Sequence, residues 1–217
     1  YKRQNLDSAY FCQVKDKTGK IIYRLPNHHF DIKATSPGRG TIVLLGGVID
    51  YGEINRNLFW IRPNYVDTVY STSNWTDVRP YYIIQRNNRA ADYAWSVRMK
   101  VGDITREDAE REQLCNVYAL KSGLLFNYLF NPKQQGAGFC PANGKSKTIS
   151  RLFKNDIDSY CPSIDLWQAI AYKTLYQKED YLYLLIDAFK FFEEGAKSPF
   201  PDLTEESNPV LVKLKLK

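Results

Sequence analysis

Residues 105–132 read TREDAEREQLCNVYALKSGLLFNYLFNP, and the choice between helix and strand here sets the fold class. Thr105 followed by Glu107 and Asp108 has the form of a helix start, with a small polar cap and carboxylates where the helix dipole favours negative charge. Apolar side chains at Val117, Leu120, Leu124, Leu125 and Tyr128 recur at helical spacing, and Asn131-Pro132 stops the run. The spacing predicts a helix, kinked at Ser122-Gly123.

Upstream, the pattern is that of strands. Asp16-Lys17-Thr18-Gly19 is a turn between Tyr10–Lys15 and Lys20–Leu25, which predicts an opening β-hairpin. Thr41–Ile49 reads as a strand buried on both faces, and Leu58–Arg62, Tyr65–Ser71 and Pro80–Gln85 as further strands. Tyr93, Trp95, Val97, Met99 and Val101 alternate with smaller or charged residues, the period of a strand.

Downstream, residues 133–148 are rich in Gly, Gln, Lys and Ser and read as a loop. Ser163 is placed to cap a helix whose Trp167, Ile170, Ala171 and Leu175 share a face. Leu182, Leu185, Ala188, Phe189 and Phe192 make the next face, with Lys178-Glu179-Asp180 as a turn or as exposed helical residues. Strands followed by helices, not an alternation of the two, predict an α+β fold. The expectation is one domain over residues 1–217, strand-rich over 8–101, helical over 104–196 and closed by a returning strand over 209–217. Opening at Tyr1 and ending on an alternating strand without a turn, the sequence has the form of a processed polypeptide or a part of a longer chain.

Composition is that of an ordinary folded protein: 44% apolar and 25% charged residues argue against disorder and against a disulfide scaffold. No window of 18 consecutive apolar residues is present, so no transmembrane segment is expected. The net charge of +6 is unevenly spread: residues 1–101 hold 15 Lys/Arg against 8 Asp/Glu, while the rest is close to balanced. A basic half suits an acidic partner, or serves solubility alone. Of the four cysteines, Cys140 and Cys161 each precede a proline and form the plausible local disulfide, with four reduced thiols as the equal alternative. The processed start and these cysteines lean towards an exported protein; a virion or cytoplasmic component would show the same features.

Motifs for chemistry are incomplete. Gly136 to Ser146 ends in Gly-Lys-Ser, yet Gly138 lies one residue too far from Gly144 for a phosphate-wrapping loop, and Pro141 removes a donor. Asp31-Ile32-Lys33 supplies the acid-x-Lys of a metal-dependent nuclease, and Gln168-x-x-x-Tyr172 resembles an accessory motif of one such group, but no acid on a preceding strand completes a metal site. His28 and His29 point to opposite sides of an extended chain, and nothing frames Cys12 as their nucleophile. Asp156 and Asp158 read equally as helix-start acids. No catalytic residue, metal ligand or cofactor is assigned.

The densest unusual stretch is Tyr51 to Arg98, which holds ten aromatic residues and six arginines. Trp, Tyr and Arg dominate binding hot spots because each buries a large area at low entropic cost and keeps a polar tip. The sequence therefore predicts a non-catalytic structural or adaptor subunit that binds neighbouring protein subunits through Arg56, Trp60, Arg62, Trp75, Arg79, Arg86 and Arg89. The alternative is a nucleic-acid-binding protein or a metal-dependent nuclease, since rings interleaved with guanidiniums also suit bases and phosphates.

Overall fold

In the computed structural model, residues 9–27, 49–86, 88–92, 94–95, 98, 105–130, 134–142, 144–145, 147–149, 152–153, 164–171, 175–193 and 200–215 are described. Gly123 decides the stretch at 105–132 against a helix. Its φ of +150° closes a two-residue loop in which Leu120 N donates to Gly123 O at 2.8 Å and Gly123 N to Leu120 O at 3.3 Å. The chain thus folds back on itself as β7 (Glu112–Ala119) and β8 (Gly123–Phe130). The apparent helical period arises because this hairpin is covered on both sides. Val117, Ala119 and Leu124 pack into one core, while Tyr118, Leu120 and Leu125 pack into another. A strand buried on both faces loses the alternation by which strands are recognised.

Among the described residues five sheets account for the strands, and all their ladders are antiparallel. β1 (Tyr10–Lys15) and β2 (Ile21–Pro26) form the hairpin that the turn residues predict, with the Asp16 carboxylate accepting from Thr18 N and Lys20 N. β3 (Ile49–Asn55), β4 (Leu58–Pro63), β5 (Thr68–Thr72) and β6 (Arg79–Ile83) follow as a meander. β7 and β8 continue into β9 (Gln134–Pro141) and β10 (Lys147–Ile149), a second meander. β11 (Leu152–Phe153) pairs β12 (Ile164–Asp165), which leads into α1 (Leu166–Ala171). The last sheet contains β13 (Leu175–Lys178), β14 (Tyr181–Ile186) and β15 (Val210–Lys215), with the turn of helix α2 (Lys190–Glu193) after β14.

The expected helical half over 104–196 is therefore overturned: of the described residues 54% are strand and 10% helical, which makes the fold mainly β, with only short helical segments, in place of α+β. Residues 175–186 alternate, with Leu175, Gln177, Leu182, Leu184 and Ile186 inward, and Glu179 at φ +56° turns a hairpin between them. The expected glycine-rich loop is largely β9. Its Gly136 and Gly138 pair with Tyr128 and Phe126, and a Cβ on either would lie within 2.4 Å of the opposite ring, so small size here admits aromatic cover. Conversely, the strand expected over Tyr93–Val101 fails: Ala94, Trp95 and Arg98 are helical, and Asp92 caps them by accepting from Trp95 N at 2.6 Å. The expected strand at Thr41–Ile49 lies outside the described residues apart from Ile49, which opens β3. The expected terminal strand does return, onto β14.

Three cores stack between these layers. Phe11, Leu25, Ile61, Tyr65, Ala91 and Trp95 join the β1–β2 hairpin to one face of the β3–β6 sheet. Ile54, Trp60 and Val69 join the other face to Val117, Ala119 and Leu124. The far side of the β7–β10 sheet meets Ile170 of α1 and the inward Leu182, Leu184 and Ile186 of β14. Burial of each large aliphatic or aromatic side chain supplies roughly 1.5–3 kcal/mol.

Two measurements check this fold. A Cβ on Gly123 would meet the Cys140 carbonyl at 2.1 Å, so Gly123→Ala is expected to lower unfolding free energy by about 3 kcal/mol in urea, against about 1 kcal/mol for Gly19→Ala, whose φ is +87° with open space around it. Asp108 is 3% exposed and accepts hydrogen bonds from Arg98 Nη2 at 2.7 Å and Thr105 Oγ1 at 3.0 Å. The Arg98 hydrogen bond leads in lowering its carboxyl from 3.8 to about 2. A depressed folded-state value stabilises above the unfolded one, so this contribution is full above about pH 4 and is lost as pH falls through about 2. Acid titration of Asp108→Asn is expected to show a flatter stability profile across that window.

Candidate functional site

Three sheet edges meet at one place. β3 ends the β3–β6 sheet, β7 ends the β7–β10 sheet, β13 ends the β13–β15 sheet, and β3 lies against both β7 and β13. Edge strands carry backbone groups without ladder partners, and buried ones must be satisfied by other means. Side chains do this here. Asp50 on β3 accepts from Val117 N of β7 at 3.1 Å and from Asn116 Nδ2 at 3.0 Å. The same carboxylate pairs with Arg62, its cross-strand neighbour on β4, at 3.0 Å, and Arg62 Nε donates to Val66 O. From β13, Gln177 accepts from Trp60 Nε1 at 3.0 Å and donates to Glu53 O of β3 at 3.1 Å and to Ala119 O of β7. Tyr118 donates to Leu175 O at 3.2 Å, a second tie between β7 and β13.

Both members of the Asp50–Arg62 pair are buried, at 4% and 0% exposed. Burial pulls the Arg62 guanidinium down and the Asp50 carboxylate opposes that shift, so the pair is held by mutual charge in a poorly solvated place. Arg62 Nη2, Asn116 Oδ1 and Asn127 Nδ2 make no hydrogen bond, a desolvation cost that packing has to offset. Gly52 belongs to this junction as well, because a Cβ there would stand 2.6 Å from Trp60 Nε1 and 2.9 Å from Gln177 Oε1.

A cleft of about 380 Å³ opens over the junction. Gly52, Asn116 and Val117 line it, and Tyr51, Phe59, Tyr176 and Glu53 stand around it. Tyr51 is 65% and Tyr176 63% exposed, a large outlay of ring surface to solvent on either side of a sealed floor. The aromatic surface continues both ways. Phe59 stacks on Trp75 with centroids 6.5 Å apart, and Trp75 neighbours Tyr23. On the other side Tyr176 neighbours Tyr183, which neighbours Tyr181.

The seven contact residues read from the sequence are not gathered into one face. Trp60 and Arg62 are corrected to interior residues, at 1% and 0% exposed, because the edge junction needs an indole donor and a countercharge. Arg86 is largely enclosed, paired with Asp67 and donating to Ala91 O. Arg79 is exposed and held by Asp77 at 2.7 Å. Arg56 and Arg89 are exposed in turns, and Trp75 is half-buried against Phe59. Tyr51 and Phe59 lie within the aromatic-rich window of the sequence but outside the seven contact residues it suggests, and Tyr176 and Gln177 fall within the expected helical half.

Of the other candidates, His28, His29, Asp31, Lys33, Asp156, Asp158, Cys161 and Tyr172 lie outside the described residues. Cys140 carries a free thiol, its Sγ 3.5 Å from Gly144 O, which agrees with the reduced-thiol alternative and not with a bridge to Cys161. Burial raises the Cys12 thiol and pushes Cys115 up to about 12, so neither is poised as a thiolate. Among the described residues no three His, Cys, Asp or Glu side chains are grouped to hold a metal ion, and no helix is long and apolar enough to cross a membrane. What the cleft offers is ring surface from Tyr51, Phe59 and Tyr176 and the carboxylate of Glu53.

Asp50→Ala would leave Arg62 charged and buried, with Val117 N and Asn116 Nδ2 deprived of an acceptor. Equilibrium unfolding is expected to show a loss of about 3–5 kcal/mol, against less than about 1 kcal/mol for Asp77→Ala in the exposed Arg79 pair. Comparison with protein-family models, with curated proteins and with solved structures finds no match to the chain, so its functional reading rests on the chemistry of this site.

Proposed function

We propose that the chain is a non-catalytic structural or adaptor subunit that holds a neighbouring protein in the cleft between β3, β7 and β13. The observation that carries this reading is the exposure of Tyr51 and Tyr176, which both line a cleft whose floor is tied together by Asp50 and Gln177. Exposed rings around a rigid depression are the form that hot spots take: they exclude water on contact and surrender little conformational entropy. The cleft volume of about 380 Å³ has room for one or two side chains of a partner, with Glu53 at its edge to meet a donor. The arginine-rich contact face expected from the sequence has no part in the reading, because three of its members are internal or enclosed.

A photo-crosslinking residue placed at Tyr51 in cells that make the protein is expected to give a discrete adduct that the same residue at exposed Lys17 does not give. With the partner identified by mass, Tyr51→Ser and Phe59→Ser should each weaken binding by about thirtyfold, the effect of losing a hot-spot ring. Indistinguishable adducts from both positions would sink the adaptor reading.

A further inference from the structure

We propose that the outward face of the β13–β14–β15 sheet binds single-stranded nucleic acid, a function additional to the protein contact at the cleft, which this face adjoins at Tyr176. Cross-strand pairing arranges this face in rows. Tyr176, Tyr183 and Lys213 stand side by side in one row, Lys178, Tyr181 and Lys215 in the next, and Leu185 with Leu211 in a third on the opposite side of the first. Successive rows are two residues apart, about 6.7 Å along the strands. The three lysines are exposed, and among the described residues none of these outward positions carries a carboxylate.

The inward side chains of the same strands, Leu175, Leu182, Leu184, Val212 and Leu214, pack into the core, so the rows are presented on a fixed support. Charge and ring are also held together. Lys213 Nζ lies 3.8 Å from the Tyr181 centroid and 5.8 Å from that of Tyr183, and Lys215 Nζ lies 5.7 Å from Tyr181. Such cation–π contacts keep ammonium groups at the level of the rings. Tyr176, most exposed of the three, and Tyr183 then offer ring surface to bases, while Lys178, Lys213 and Lys215 meet phosphates. Stacking on rings with phosphates drawn to lysines is the arrangement that single strands require, and it is indifferent to base identity.

Charge selects among polyanions. Exposed Asp187 follows β14 directly beyond Leu185, and Asp202, Glu205 and Glu206 are exposed in the segment that leads into β15. An anionic bilayer broad enough to take up Leu185 and Leu211 would meet these carboxylates, whereas a thin flexible strand lies across the Tyr and Lys rows without reaching them. An acidic peptide satisfies the lysines but leaves the rings without a stacking partner.

The test is fluorescence anisotropy of a labelled thymidine oligomer of about twelve nucleotides with the full chain over a salt series, a length within single-strand site sizes. Binding should weaken linearly in log salt, and Lys213→Gln with Lys215→Gln should reduce the slope by about 1.4. Tyr183→Ser should cost about tenfold in affinity and leave the slope unchanged, while Lys17→Gln in the β1–β2 turn should change neither. These variants alter exposed or half-exposed side chains, and matching thermal midpoints would verify folding. Absence of oligomer binding would overturn the proposal. So would binding insensitive to these three substitutions, or equal binding of polyglutamate or phosphatidylserine vesicles with the same residue dependence. The crosslink from position 51 reports the cleft independently, so either function can fail without the other.

Discussion

The structure depends on sealing three strand edges without a ladder between them. A sheet edge buried against another sheet is costly unless each inward N–H and C=O finds a partner. Here a carboxylate and an amide serve in place of a fourth strand. Asp50 reaches Val117 N, and Gln177 reaches Glu53 O and Ala119 O. Both side chains bridge different sheets, so the layers are tied at one point as well as glued by apolar contact. That point is also the floor of the cleft, and the rigidity of the site and the union of the sheets have the same cause.

Such a junction has consequences for its neighbours. Arg62 is interior because Asp50 needs a countercharge, Gly52 is small because Trp60 and Gln177 occupy the space of a side chain, and Trp60 is interior because its indole donates to Gln177. These residues carry polar or aromatic chemistry of the kind found at interfaces, yet serve the fold. Among the rings that the junction and the cores leave outside or half outside are Tyr51, Phe59 and Tyr176 at the cleft, and Tyr181 and Tyr183 beyond it. Function, on this view, is written in the aromatic residues that packing leaves over.

Part of this was legible in the residue order. The first hairpin follows from Asp16 to Gly19, whose carboxylate and positive φ are local properties. The alternation in Val210–Lys215 is likewise visible, because one side of β15 meets the core and the other meets water. The second half departs from its sequence pattern for a definite reason. β7 and β8 are covered on both faces, so their apolar residues run together and imitate a helical stripe, and β9 hides as a loop because its glycines answer to rings on the adjacent strand. For the site, the excess of rings between Tyr51 and Arg98 was apparent, and it does contain Tyr51 and Phe59. Which rings and guanidiniums lie inside was not, since Trp60 and Arg62 are separated from their partners Gln177 and Asp50 by 117 and 12 residues.

From sequence alone came the properties that short-range chemistry controls: the opening turn, the strand character of the first segments, the lysine alternation at the last strand, and the uneven charge. Tertiary structure alone decided whether residues 112–130 and 175–186 are helix or strand, which faces are covered, and which aromatic residues remain exposed. The physical reason is that burial is a relation between segments distant in the chain. A period in hydrophobicity records how many sides of an element are covered only after the covering layers are known.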